Sequence, residues 1–190
     1  MKSQGSMLSA RKILILVTLI FSHSALGNVN CDKENVILKT QSEIDSFQLD
    51  YGICDVLLGS LTVRESVDND IKDLLGLTGL KIIKGNLVIE SNDGLKSLKG
   101  LESLVTIGSN LTISSNSNLS DISFLSNLIR VTGTLLIDSN DALISSEGIE
   151  NLKQLGKLQI RNNDELDEIS PFSNLYGIVE LDIYNNDALS

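Results

Sequence analysis

The chain has no tryptophan, one proline, two cysteines and one histidine, and aromatic residues fill only 4% of its 190 positions. Each shortage excludes a class of chemistry. The histidine, His23, sits in an N-terminal leader, so none remains downstream for a histidine-based triad or a zinc site. Basic residues are scarce too: 15 Lys and Arg stand against 25 Asp and Glu, for a net charge of −10. Nucleic acid and anionic lipid surfaces require basic patches, so neither is an expected partner. No phosphate-cradling glycine motif is present, and the glycines recur with a longer period instead.

What is present begins with the leader. Lys2, Arg11 and Lys12 precede the apolar run Ile13 to Phe21, and Ala25-Leu26-Gly27 places small residues where a signal peptidase reads. The run is shorter than the roughly 20 residues needed to cross a bilayer. Residues 1–27 are therefore expected to be a signal peptide and the remainder secreted or at the cell surface. Cys31 and Cys54, the only cysteines, are expected to form one disulfide in an oxidising compartment. They fall within 28–60, which reads as an N-terminal cap. There Asn35 to Lys39 suits a short strand, and Thr40 and Glu43 form a capping box for a helix over about residues 41–48, with Ile44 and Phe47 on its buried side.

From residue 61 to 190 the pattern Leu-x-Ile-x-x-Asn-x-x-Leu returns five times, starting at Leu87, Leu111, Leu135, Leu158 and Leu181. A weaker copy, Leu61-Thr62-Val63, precedes them, with Ser66 in the asparagine place. This spacing predicts a mainly β solenoid of about six turns of 23–26 residues, in which each turn buries its apolar face against the next. Within a turn, Leu87 and Ile89 alternate with Val88 and Glu90, as in a strand with one buried face. Leu95, Leu98, Leu101, Leu104 and Ile107 then step by three, which suits 3₁₀-like turns and short corners. The fifth repeat does the same with Leu166, Ile169, Phe172, Leu175 and Ile178. Asn92, Asn116, Asn140, Asn163 and Asn186 are expected to form an inner column that satisfies backbone groups at the bends. Gly85, Gly108, Gly133 and Gly156 mark tight or positive-φ corners before each strand.

The cysteine pair, the cap and turns such as Ile83-Lys-Gly85-Asn-Leu87-Val-Ile89 and Val131-Thr-Gly133-Thr-Leu135-Leu-Ile137 resemble the receptor L-domain family. Members occur in insulin- and epidermal-growth-factor-type receptors and in fungal GPI-anchored cell-wall proteins, whose cap the segment Thr40-Gln-Ser-Glu-Ile-Asp is similar to. Ordinary leucine-rich repeats would place a leucine three residues before the strand, where this chain has Lys84, Gly108 and Thr132; its apolar residue lies four before, at Ile83, Ile107 and Val131. The resemblance implies a right-handed parallel β-helix with LRR-like turns and ligand binding on a sheet face. The sequence stops at Ser190 part-way through the sixth turn, so missing C-terminal turns or a second L-domain are expected over the open end.

Alternation sends two columns outward. Thr62, Val88, Thr112, Leu136, Gln159 and Asp182 form one, and Arg64, Glu90, Ser114, Asp138, Arg161 and Tyr184 the other. Arg64, Val88, Glu90, Leu136, Asp138, Gln159, Arg161 and Tyr184 are the candidate binding face for an extracellular protein or a cell-wall glycan. Its work would be recognition or cell-wall and surface organisation, without catalysis, metal or cofactor. The competing function is a carbohydrate-active β-helix enzyme using the corner carboxylates Asp141, Asp164 and Asp187, with a bound calcium as a further reading of the same column. Two sequons, Asn110-Leu-Thr and Asn118-Leu-Ser, are candidate glycosylation sites on the third turn.

Overall fold

The computed structural model describes residues 30–32, 34–169, 172 and 174–189. The expected signal peptide lies outside them. Eleven strands form one parallel sheet: β1 (Asn30–Cys31), β2 (Asn35–Leu38), β3 (Val56–Leu57), β4 (Ser60–Val63), β5 (Ile82–Ile83), β6 (Leu87–Glu90), β7 (Thr106–Ile107), β8 (Leu111–Ser114), β9 (Arg130–Asp138), β10 (Gln154–Arg161) and β11 (Glu180–Tyr184). They pair in two strips. One runs β1-β3-β5-β7 into the first half of β9; the other runs β2-β4-β6-β8 into its second half and on through β10 to β11. Early turns break between the strips, whereas β9 and β10 run through both, with a register shift between Leu155 and Lys157.

Register follows the repeat. Leu87, Leu111, Leu135, Leu158 and Leu181 lie side by side, as do Ile89, Ile113, Ile137, Ile160 and Ile183. All of these except Leu181 and Ile183 are fully buried. The residues at steps of three close the core from the other side, with 3₁₀ turns at Leu75–Leu77 and Ser123–Leu125. Burial weakens in the fifth repeat: Leu166 is buried, Ile169, Phe172 and Leu175 are half-buried, and Ile178 is 37% exposed. The expectation of a buried row fails there because, among the described residues, no further turn packs over them.

Between β2 and β3 stand two short helices, α1 (Gln41–Asp45) and α2 (Phe47–Tyr51), with Ile44 and Phe47 buried as expected. Thr40 Oγ1 accepts from the Glu43 amide at 3.2 Å, but the Glu43 carboxylate accepts from the Lys39 amide, one residue earlier than a capping box prescribes. Gln41 Oε1 accepts from the amides of Lys72 and Asp73, tying α1 to the next loop. The Cys31–Cys54 disulfide is present and buried, spanning 23 residues. On chain-entropy grounds, closing such a loop stabilises by about 3 kcal/mol.

The positive-φ expectation for the corner glycines changes. Gly85, Gly108, Gly133 and Gly156 do not have positive φ. Their role is close approach: a Cβ would lie 2.4 Å from Ser60 Oγ at Gly85 and 2.2 Å from Asn110 Oδ1 at Gly133. The left-handed corner is elsewhere, directly after each strand, at Ser91, Ser115, Ser139, Asn162 and Asn185, with φ between 52° and 56°.

Candidate recognition face

The asparagine column sets the geometry on which any face depends. Asn92, Asn116, Asn140 and Asn163 are fully buried and Asn186 is 9% exposed. Each Nδ2 of the first four donates to the Oδ1 of the next, at 3.0 to 3.3 Å, and each backbone amide donates to the same oxygen. Nδ2 also reaches the carbonyl of the inward strand residue one turn back: Val63, Ile89, Ile113, Ile137 and Ile160 in order. The ladder thus fixes turn against turn at every bend.

At its N-terminal end the expected occupant, Ser66, is not in line. The amide of Glu65 donates to Asn92 Oδ1 at 2.9 Å, while its carboxylate accepts from the amides of Asn69, Ile71 and Asp93. A carboxylate that gathers three amides replaces the missing amide rung.

The outward columns stand as the alternation requires. Thr62, Val88, Thr112, Leu136, Gln159 and Asp182 pair in succession, and so do Glu90, Ser114, Asp138, Arg161 and Tyr184. Arg64 joins the second column through its contact with Glu90 at 3.5 Å. Ile37, in register with Thr62 and 56% exposed, extends the first column and was missed; the alternation of Val36 and Leu38 around it was the available signal. Val88 and Leu136 are half-buried.

Its two halves differ. From Leu136 toward the C-terminus the polar groups satisfy one another. Arg161 Nε and Nη2 both meet Asp138 Oδ2 at 2.9 Å, and Arg161 Nη1 donates to the Tyr184 hydroxyl at 2.9 Å. Lys157 bridges Glu180 at 2.7 Å and Asp182 at 2.9 Å, and Gln159 donates to Asp182 at 3.1 Å. Burial would raise the Asp138 pKa, but hydrogen bonds from Asn162, Arg161 and Ser139 outweigh it and hold that carboxyl below its ordinary value. The Lys157 ammonium, followed by Gln159, lowers Asp182 likewise. Toward the N-terminus Ile37, Thr62, Val88, Thr112 and Leu136 make a stripe of aliphatic and methyl surface bordered by the Arg64–Glu90 pair.

The corner carboxylates follow the asparagine column directly in sequence. Asp141, Asp164 and Asp187 are exposed, and among the described residues no group of three or more Asp, Glu, His or Cys is placed to hold a metal ion. Asp93 accepts from the Ser117 hydroxyl at 2.7 Å, in a shallow serine-lined depression that includes Ser91, Ser115, Ser139 and Asp141. Both sequon asparagines are exposed. Asn110 Nδ2 donates to Asn86 Oδ1 at 3.1 Å, and Asn118 Nδ2 to the Asp93 carbonyl at 2.8 Å.

The chain is thus built on one parallel sheet and tied near its N-terminus by a disulfide. Residues 81–169 match the family model described as Receptor L domain, the family the repeat resembles. The match runs from the edge of β5 past β10 and takes in Val88, Glu90, Leu136, Asp138, Gln159 and Arg161, but not Arg64 or Tyr184. No curated protein and no solved structure matches the chain.

Proposed function

We propose that the protein is a secreted or cell-surface recognition module, non-enzymatic, that binds an extracellular protein partner on its outward strand face. In this reading residues 1–27 are a leader, 28–60 a cap, and 61–190 a right-handed parallel β-helix of about six turns. One observation carries it: inside the segment that matches a receptor L domain, outward residues stand in register as columns, with Val88 and Leu136 half-buried at their centre. An aliphatic stripe with polar borders is the composition of an interface centre and rim. The disulfide suits an oxidising, extracellular setting. Among the described residues no helix is long and apolar enough to cross a membrane.

The test is capture of extracellular proteins by the mature domain, compared with two variants. Leu136→Arg is expected to lose a captured partner at least tenfold, since an interface-centre residue is worth about 1.4 kcal/mol or more. Leu75→Arg, on a different surface and 46% exposed, is expected to keep it. Equal capture by both variants would contradict the assigned face.

A further inference from the structure

Neither sequon is used by the recognition face, and the fold treats them unlike the column asparagines. None of the five column asparagines lies in an Asn-x-Ser/Thr triplet: they read Asn-Asp-Gly, Asn-Ser-Asn, Asn-Asp-Ala, Asn-Asp-Glu and Asn-Asp-Ala. A sugar on any of them would have to be buried. Asn110 and Asn118 are exposed, one directly before β8 and the other four residues after it. Each side chain is also a rung between turns. Asn110 Oδ1 accepts from the Thr134 amide at 2.8 Å, while its backbone amide and Nδ2 both donate to Asn86 Oδ1, at 3.0 and 3.1 Å. Asn118 reaches back to Asp93 through Nδ2 alone.

We infer that Asn110 and Asn118 both carry N-linked glycans, and that each linkage amide remains a structural rung. The chemistry permits both roles together. In transfer from a lipid-linked oligosaccharyl diphosphate, Nδ2 bonds to the anomeric carbon and gives up one proton to the transferase. The lipid diphosphate leaves with the electron pair of the broken C–O bond. The product is a secondary amide that keeps Oδ1 and one N–H. Asn110 uses one Nδ2 hydrogen toward Asn86 and needs its Oδ1 for Thr134; Asn118 uses one Nδ2 hydrogen toward Asp93. Every one of these bonds has the atoms it requires after glycosylation. A carboxylate at either position does not, because it would set an acceptor against Asn86 Oδ1 or against the Asp93 carbonyl. The sugars would then stand at opposite ends of β8, bracketing the sheet face.

The inference rests on the extracellular reading, so the test separates the two. The chain is exported from a glycosylating eukaryotic host behind a foreign leader, and export by its own leader is scored apart. A failing native leader would then count against the location and not against these sites. Intact mass is expected to show two glycans, with one lost in Thr112→Val and one in Ser120→Ala, variants that leave each asparagine in place. Trimming to the first sugar is expected to leave Tm unchanged. Amidase removal, which converts both asparagines to aspartate, is expected to lower Tm by roughly 3 °C or more. A secreted chain with a bare asparagine at either site, or equal Tm after the two treatments, would overturn the inference.

Discussion

Asn140 shows what a single residue does in this chain. It donates to the Ile113 carbonyl at 3.0 Å and to Asn163 Oδ1, and its own Oδ1 receives the amide and the Nδ2 of Asn116 at 3.2 and 3.1 Å. Replacing it by leucine keeps the branched shape and heavy-atom count but strands two donors and a carbonyl in a dry interior, at about 1–3 kcal/mol for each. Asn140→Leu is therefore expected to lose roughly 3 kcal/mol or more in chemical denaturation, and a loss below about 1 kcal/mol would deny the column its role. The column was legible because a buried amide at a fixed period has few other uses. Its end was not: Glu65 takes the rung's place through carboxylate-to-amide bonds that no spacing announces. Nor was the left-handed corner, because serine at Ser91, Ser115 and Ser139 carries no mark of positive φ, whereas the glycines that drew attention serve close packing.

Among the elements, β11 stands apart. Leu181 is 57% exposed and Tyr184 45%, so less apolar burial holds this strand than holds β8, where Leu111 and Ile113 are fully buried. Its outer side is tied instead by Lys157, Gln159 and Arg161. Asp138 and Asp182 have folded pKa values below the ordinary aspartate value of about 3.9, so their contribution is present above that value and disappears as pH falls through the depressed ones. Hydrogen-exchange protection of β11 is expected to hold from pH 6 to about 4 and to drop as pH falls below that, while that of β8 holds; parallel behaviour of the two strands would contradict the electrostatic tie. The repeat located this strand, but its ties to Lys157, Gln159 and Arg161 were not legible, since they depend on which long side chains meet across strands.

For the whole molecule, the alternation of strand residues and the 23–26-residue period predict the register and both outward columns, and the resemblance to receptor L domains implies the parallel sheet. The first helix and the disulfide were legible because Thr40, Glu43 and two lone cysteines are local signals. The division of the face into a self-paired C-terminal half and an open N-terminal half was not, because it depends on which long side chains meet across strands. What unites these features is that adjacent residues of one strand belong to different worlds: Leu136 to the face and Ile137 to the core. Urea denaturation of Leu136→Arg and Ile137→Arg measures that division directly. The account expects Leu136→Arg to stay within about 1 kcal/mol of the parent and Ile137→Arg to lose several kcal/mol or fail to fold, because it buries an unpaired charge. Comparable stability of the two variants would contradict it.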